Sequence, residues 1–284
     1  MAVSLQLLKR RIKTAGNLGQ IARAMETIAG TKIRKAKLAV DNNKPYAEKI
    51  TSMVEDLIAV VDADKISHPY LQKNISDKKL LIAIGPDKGL CGSLPSNLFR
   101  KIIEFNDSAT YLITVGRKME KFSSRLTFIK SVASFSMGSV LPDYSTVYPL
   151  MNIINEYYLG GQVSEIIILF TEFRSFLSQV PVFKTLIPVE FKKTLKTAEP
   201  LYIFEPHPET IINELLPYYV EIKLYNALVN AFTSEQAARM IAMQNARENA
   251  KEMADYLTLS YNKSRQEKIT SEILDIINGK ILTE

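Results

Sequence analysis

One cysteine and two histidines occur in 284 residues, and each scarcity closes a class of function. A lone Cys91 excludes an intramolecular disulfide and a clustered thiolate zinc site, and it suits a reducing compartment. His68 and His207 share no recognisable motif with Cys91, so a cysteine nucleophile would lack its base, and the thiol reads better as a small buried hydrophobe. No His, Cys and carboxylate cluster has metal-ligand spacing, and neither metal nor cofactor is expected. Uncharged stretches such as Ser131–Pro142 are broken by Ser, Gly and Pro and fall short of the roughly 18 apolar residues of a spanning helix. The first twenty residues contain no apolar h-region or cleavage site and read as an amphipathic helix rather than a signal. A cytoplasmic protein without direct membrane insertion is expected, and so poor a catalytic inventory argues against an autonomous enzyme.

What is present begins with charge. At 46% hydrophobic and 23% charged, the chain can bury a core and fill one large or two ordinary domains. The formal charge is +6, yet residues 1–44 hold ten Lys or Arg against Glu26 and Asp41, a local +8 that leaves −2 for the rest. A basic arm on a near-neutral body suits nucleic acid, an anionic membrane surface or an acidic protein partner, and charge alone does not choose.

Two long helices bracket the chain. From Ser4 to about Val61 the text is helical, and Ala36, Val40, Asn43, Ala47, Ile50, Val54, Leu57 and Val61 step by four and three, a heptad stripe that wants a partner helix. Pro45 should bend that axis, and Gly16, Gly19 and Gly30 weaken its first half. After Pro208, with a possible bend at Pro217, a second helix runs from Tyr218 to Asn278; these 61 residues, with neither Gly nor Pro, make a rod of roughly 90 Å. Ala238, Ala242, Ala246, Ala250 and Ala254 form a small-residue ridge along which another helix can approach closely. Extending the heptad from Ile222, Tyr225, Val229 and Phe232 puts Gln236 and Arg239 where apolar residues belong, so something other than coiled-coil stability placed those two.

Between about Ser76 and Pro200 the pattern changes to short apolar runs alternating with helical segments. LLIAIG, YLITVG, VSEIIILF and VPVFKTLIPV read as strands, the last two joined as a hairpin, while LPSNLFRKIIEF and RKMEKFSSRL read as helices. The expected fold is therefore α/β plus a long coiled coil. Residues 1–61 and 209–284 form an antiparallel pair flanking a Rossmann-like α/β domain at 62–208.

Two local patterns are ambiguous. GPDKGLCGSLPSN follows a strand and precedes a helix, where phosphate cradles occur, but its glycines match neither GxGxxG nor the phosphate loop. A tight turn with Ser96 or Asn97 capping the helix is the plainer reading. KRRIK and KIRKAK could grip phosphates but lack interleaved aromatics; a solvated face or a contact with acidic loops of a partner reads equally well.

Taken together, LKRRIK, AMETIAGTKIRKA, DKGLCGSLPSN, YIFEP, SEQAARMIAM and LSYNKSRQEKITSEILDII resemble the gamma subunit of the F-type ATP synthase over essentially the whole length. Pro95 and Lys280 depart from the family's usual residues, and with no second cysteine the paired-thiol switch of the chloroplast relatives is expected to be absent. Lacking a transit peptide ahead of the family's usual start, the chain is expected to come from a bacterial complex on the cytoplasmic face of the cell membrane.

The resemblance implies a central-stalk rotor without an active site, turning inside a hexamer of alpha and beta subunits and meeting the epsilon subunit and the membrane ring of c subunits. A polar outer surface is expected of such a shaft. By resemblance, Met25, Arg239, Gln266, Thr270 and Glu272 couple the shaft to the beta subunits, Lys32, Arg34 and Lys35 face acidic loops, and Tyr202, Phe204 and Glu205 touch the ring. The alternative from another class is a basic coiled-coil nucleic-acid binder, which would lose affinity steeply with salt.

Overall fold

A computed structural model describes residues 4–60, 68–105, 110–127, 129–190, 205 and 207–281. Helix α1 spans Leu5–Val60 and α5 spans Pro208–Ile281. Between them come β1 (Lys79–Ile84), α2 (Leu94–Phe105), β2 (Thr110–Val115), α3 (Arg117–Ser123), β3 (Lys130–Phe135), α4 (Val147–Leu159), β4 (Glu165–Phe173) and β5 (Gln179–Ile187). The chain divides into two compact units: a terminal unit of Met1–Ala29 with Arg239–Glu284, and a middle unit of Gly30–Ala238.

The middle unit is built on a five-stranded sheet in the order β3-β2-β1-β4-β5. β1 to β4 are parallel, and β5 returns antiparallel along β4 as the hairpin that the sequence suggests. β1 shows why a continuous apolar run marks the centre of a parallel sheet: Leu80 to Ile84 are all buried, on both faces. On one face Leu80, Ile82 and Ile84 join a core with Ile154 of α4, Ile50 and Val54 of α1, and Leu216 and Phe232 of α5. On the other, Leu81 and Ala83 meet Leu98 and Ile102 of α2 and Met119 of α3. The parts of α1 and α5 that belong to this unit are thus a layer of the α/β body, not only its appendages.

Two elements of this body were not among the expected ones. β3 is an edge strand whose residues are exposed or half-buried, so KSVASF shows none of the apolar density of β1. α4 buries Val147, Leu150, Met151, Ile154 and Tyr158, a helical spacing, with Pro149 in its first turn where a missing N–H does no harm. The expected cap also shifts: α2 begins at Leu94, so Ser96 and Asn97 lie inside its first turn, and the Asn97 amide donates to the Ser93 carbonyl at 3.0 Å. Pro95, the family departure, sits at the second helical position, where proline is tolerated.

In the terminal unit α1 and α5 pack along each other. On α1 the buried positions are Leu8, Ala15, Ala22 and Ala29, one per heptad, with Ile12, Gly19 and Glu26 half-buried between them. The heptad therefore begins near Leu5, well before Ala36; its small residues hide it from a reading that counts large apolar side chains.

Candidate functional site

The geometry of the terminal pair rests on small residues. A Cβ placed on Gly19 of α1 would lie 3.7 Å from the Ala250 Cβ of α5, so the two backbones approach to the limit set by one methyl group. Further along α1, Glu26 meets Arg247 at 2.9 Å. Numbering rises on one helix as it falls on the other, so the pair is antiparallel. Ala242, Ala246, Ala250 and Ala254 are all half-buried, as a ridge of small residues in a helix seam requires.

The shaft residues implied by the resemblance fall at different levels of this pair. Gln266, Thr270 and Glu272 are exposed on the last turns of α5, where the Thr270 hydroxyl donates to the Gln266 carbonyl at 3.0 Å and Lys268 pairs with Glu272 at 3.5 Å. Met25 and Arg239 are half-buried. Met25 adjoins Glu26, whose partner Arg247 precedes Gln266 by nineteen residues, roughly 28 Å of helix rise. The structure brings Gln266 and Thr270 together and leaves Met25 apart from them.

The outer surface of the pair is not uniformly polar, contrary to expectation. Leu18, Ile21 and Ile28 on α1, and Met253, Tyr256, Leu259, Ile269 and Ile273 on α5, are exposed. The physical reason is geometric: each helix of a two-helix rod can hide only one stripe, and Leu18, Ile21 and Ile28 flank the buried stripe.

In the middle unit, α5 carries buried polar residues Thr233, Ser234, Glu235 and Gln236. The Thr233 hydroxyl donates to the Val229 carbonyl at 2.7 Å, and Ser234 donates to the Thr171 carbonyl of β4 at 2.9 Å. Gln236, which breaks the apolar seam, is thus inside the protein, and Arg239 beyond it is half-buried. Of the basic segment, Arg34 and Lys35 are exposed, whereas Lys32 is half-buried and donates from Nζ to the Ser139 carbonyl at 2.6 Å. Glu205 is exposed; Tyr202 and Phe204 lie outside the described residues.

The glycine-bearing turn after β1 is filled by the chain itself. A Cβ on Gly85 would lie 2.5 Å from Met119, and Gly116, at φ +108°, would bring its Cβ to 2.1 Å from the Gly85 carbonyl. Only glycine allows the turns after β1 and β2 to touch in this way. Asp87 then accepts hydrogen bonds from the amides of Arg117, Met137 and Gly138 and from the Ser136 hydroxyl, donors that could otherwise hold a phosphate. Partial burial pushes its carboxyl up, but these donors, Ser136 foremost, outweigh burial and hold it below the usual carboxylate range. Asp87 was missed in the sequence, where the one signal is that it is the sole carboxylate in the turn.

Other chemical groups are dispersed. Cys91 is buried, with Sγ 3.7 Å from the Lys88 carbonyl, and His68 accepts the Tyr70 amide at Nδ1 while burial lowers its pKa. No group of three or more His, Cys, Asp or Glu among the described residues could hold a metal, and none of the described helices is long and apolar enough to cross a membrane.

Comparison with known proteins assigns the arrangement. The family model described as ATP synthase matches residues 4–280. The ATP synthase gamma chain of Dehalococcoides mccartyi is 38% identical over 279 residues, covering 97% of this chain and 98% of that one. This chain belongs to the ATP synthase gamma-chain family. The gamma chain of Heliobacterium modesticaldum is 37% identical over 283 residues, covering 96% of each. Among solved structures, the chain resembles one from the central stalk and c-ring of Tetrahymena thermophila mitochondrial ATP synthase at 26% identity, with a TM-score of 0.60 over 80% of this chain and 99% of that chain. It shares its fold with a chain of the Euglena gracilis mitochondrial enzyme at 16% identity, with a TM-score of 0.69 over 98% and 94% of the two chains. The gamma-chain family thus supplies the frame for the helix pair, the exposed α5 turns and the basic segment of α1.

Proposed function

We propose that this chain is the central-stalk rotor of an ATP synthase: it holds no active site of its own and carries rotation between an ion-driven membrane ring and the nucleotide sites of the surrounding beta subunits. The observation that supports it most directly is the antiparallel pair of α1 and α5 in the terminal unit, closely packed at Gly19 and Ala250 and exposing Gln266, Thr270 and Glu272 on α5. Two such helices make a stiff rod, and a rod built from two unlike helices presents a different face in every direction.

Differential contact is the mechanism. A partner shifts a two-state equilibrium only by favouring one state, and moving a site from 1:99 to 99:1 takes about 5.5 kcal/mol of such preference. An uneven shaft touching three chemically identical beta subunits differently gives each its own bias. Arg239, Gln266, Thr270 and Glu272 supply polar contacts, and Met25 with the exposed Leu18, Ile21 and Ile28 supplies apolar ones, which have no directional bonds to break as the shaft turns. Because Met25 stands far from Gln266 along the pair, the two act at separate levels of the sleeve. Arg34 and Lys35 face acidic loops, and Tyr202, Phe204 and Glu205 form the foot that meets the ring.

The partners are then the alpha and beta subunits, the epsilon subunit and the c-ring, with the chain peripheral to the membrane on the cytoplasmic face of a bacterial cell. Family membership gives the nucleic-acid reading no support. Co-purification separates the two: alpha and beta subunits should come down with the chain, and recovery of nucleic acid in their place would overturn the rotor reading.

A further inference from the structure

Asp87 does more than fill its turn. Its Oδ1 accepts from the Arg117 amide at 2.9 Å and the Met137 amide at 3.2 Å, and its Oδ2 accepts from the Ser136 hydroxyl and the Gly138 amide, both at 2.7 Å. Hydrogen bonds to an ionised acceptor are the strong kind, roughly twice a neutral pair. The donors lie on two different connections, the one leaving β2 and the one leaving β3, so the carboxylate of the β1 turn ties three strand ends together. The 136–139 segment is gripped a second time, where Lys32 of α1 donates to the Ser139 carbonyl at 2.6 Å. A short run of backbone is therefore held by an anion from the sheet and a cation from the helix.

We propose that Asp87 and Lys32 are the two ends of one clasp on the 136–139 segment, and that Asp87 is the positioning residue that fixes where Lys32, and with it the basic segment of α1, lies against the sheet. Lys32 then belongs to the internal mechanics of the protein, and Arg34 and Lys35 are left for a partner's acidic groups. The clasp stands on geometry within the middle unit; only its consequence for turnover rests on the rotor reading.

The test uses amide hydrogen exchange on the full chain. In Asp87→Ala, exchange at Met137 and Gly138 should rise by about tenfold or more while amides of β1 stay as protected as before. Formate at tens of millimolar should restore protection by returning a carboxylate to the four donors, and chloride at the same ionic strength should not. Lys32→Met should loosen the same segment, and the two substitutions should be non-additive. If Asp87→Ala does not fold, Asp87→Asn, which keeps the shape and loses the charge, answers the same question. Unchanged exchange, additive effects, or a rise spread evenly over the whole sheet would overturn the clasp. In the assembled complex, Asp87→Ala should lower ATP-driven ion pumping more than ATP hydrolysis, and equal losses would overturn its positioning role. A wild-type chain that never assembles would defeat the rotor reading and leave the exchange result to decide the clasp.

Discussion

Glu26 of α1 and Arg247 of α5 meet at 2.9 Å across the seam of the terminal helix pair, a charged contact set among buried alanines. The Glu26 Oε2 atom is buried and receives no well-aligned hydrogen bond, so the contact is an ion pair and not a directed bond. Arg247 remains partly open to solvent, at 38% side-chain exposure, which screens the pair. Removing either charge should cost about 1 kcal/mol, and a double-mutant cycle of Glu26→Gln and Arg247→Met in denaturant should return a coupling of roughly 0.5 kcal/mol. Additive losses would show that the two side chains do not feel each other.

Gly19 offers a second test of the same seam. Because a Cβ there meets Ala250 at an ordinary van der Waals distance of 3.7 Å, Gly19→Ala should fit and stabilise the chain by about 1 kcal/mol through helix propensity. Gly19→Leu should destabilise it by about 1 to 3 kcal/mol, since the helices must part to admit the larger side chain. A leucine tolerated as well as an alanine would mean that the helices are not closely packed at this level.

How much of this was legible in the sequence depends on where each signal lies. β1, β2, α2 and α3 were readable because dense apolar runs or a helical spacing sit within one element. β3 was not, being an exposed edge, whereas α4 carries a helical spacing at Val147, Leu150, Met151 and Ile154 that is legible in principle. The α1 heptad is legible from Ala36 onward and obscure before it, since from Ala15 to Ala29 its seam is mostly alanine and glycine, which look like nothing in particular on a hydropathy scale. The role of Asp87 was hidden for a different reason: beyond its being the sole carboxylate of its turn, its donors lie 30 to 51 residues away and are gathered only by the sheet.

Asp87 also sets an acid limit. Its folded carboxyl titrates below the ordinary value, so its contribution to stability is fully present above the unfolded pKa of about 3.9 and is lost as pH falls through the lower folded value. Wild-type and Asp87→Asn chains should therefore differ most in melting temperature at neutral pH, with the difference starting to shrink near pH 4 and vanishing only below the depressed folded value. A difference that persists unchanged into acid would assign the effect to shape, not charge.

Gln266→Ala and Arg239→Ala address the shaft. Gln266 is exposed, and its carbonyl, not its side chain, receives the Thr270 hydroxyl, so truncation should leave folding within about 0.5 kcal/mol of wild type. In the assembled enzyme the double substitution should impair coupled turnover more than either single change. Unchanged turnover would reduce these positions to ordinary surface.

The most direct measurement joins the two helices covalently. Gly19→Cys with Ala250→Cys places two Cβ atoms near the separation of a natural disulfide, about 3.8 Å. If α1 and α5 are one rigid axle, the bridge should close readily under mild oxidation and the assembled complex should keep its rate of ATP-driven ion pumping, because nothing inside the axle needs to move. Failure of the bridge to form in the folded chain, or its formation with loss of pumping that reduction restores, would contradict the account.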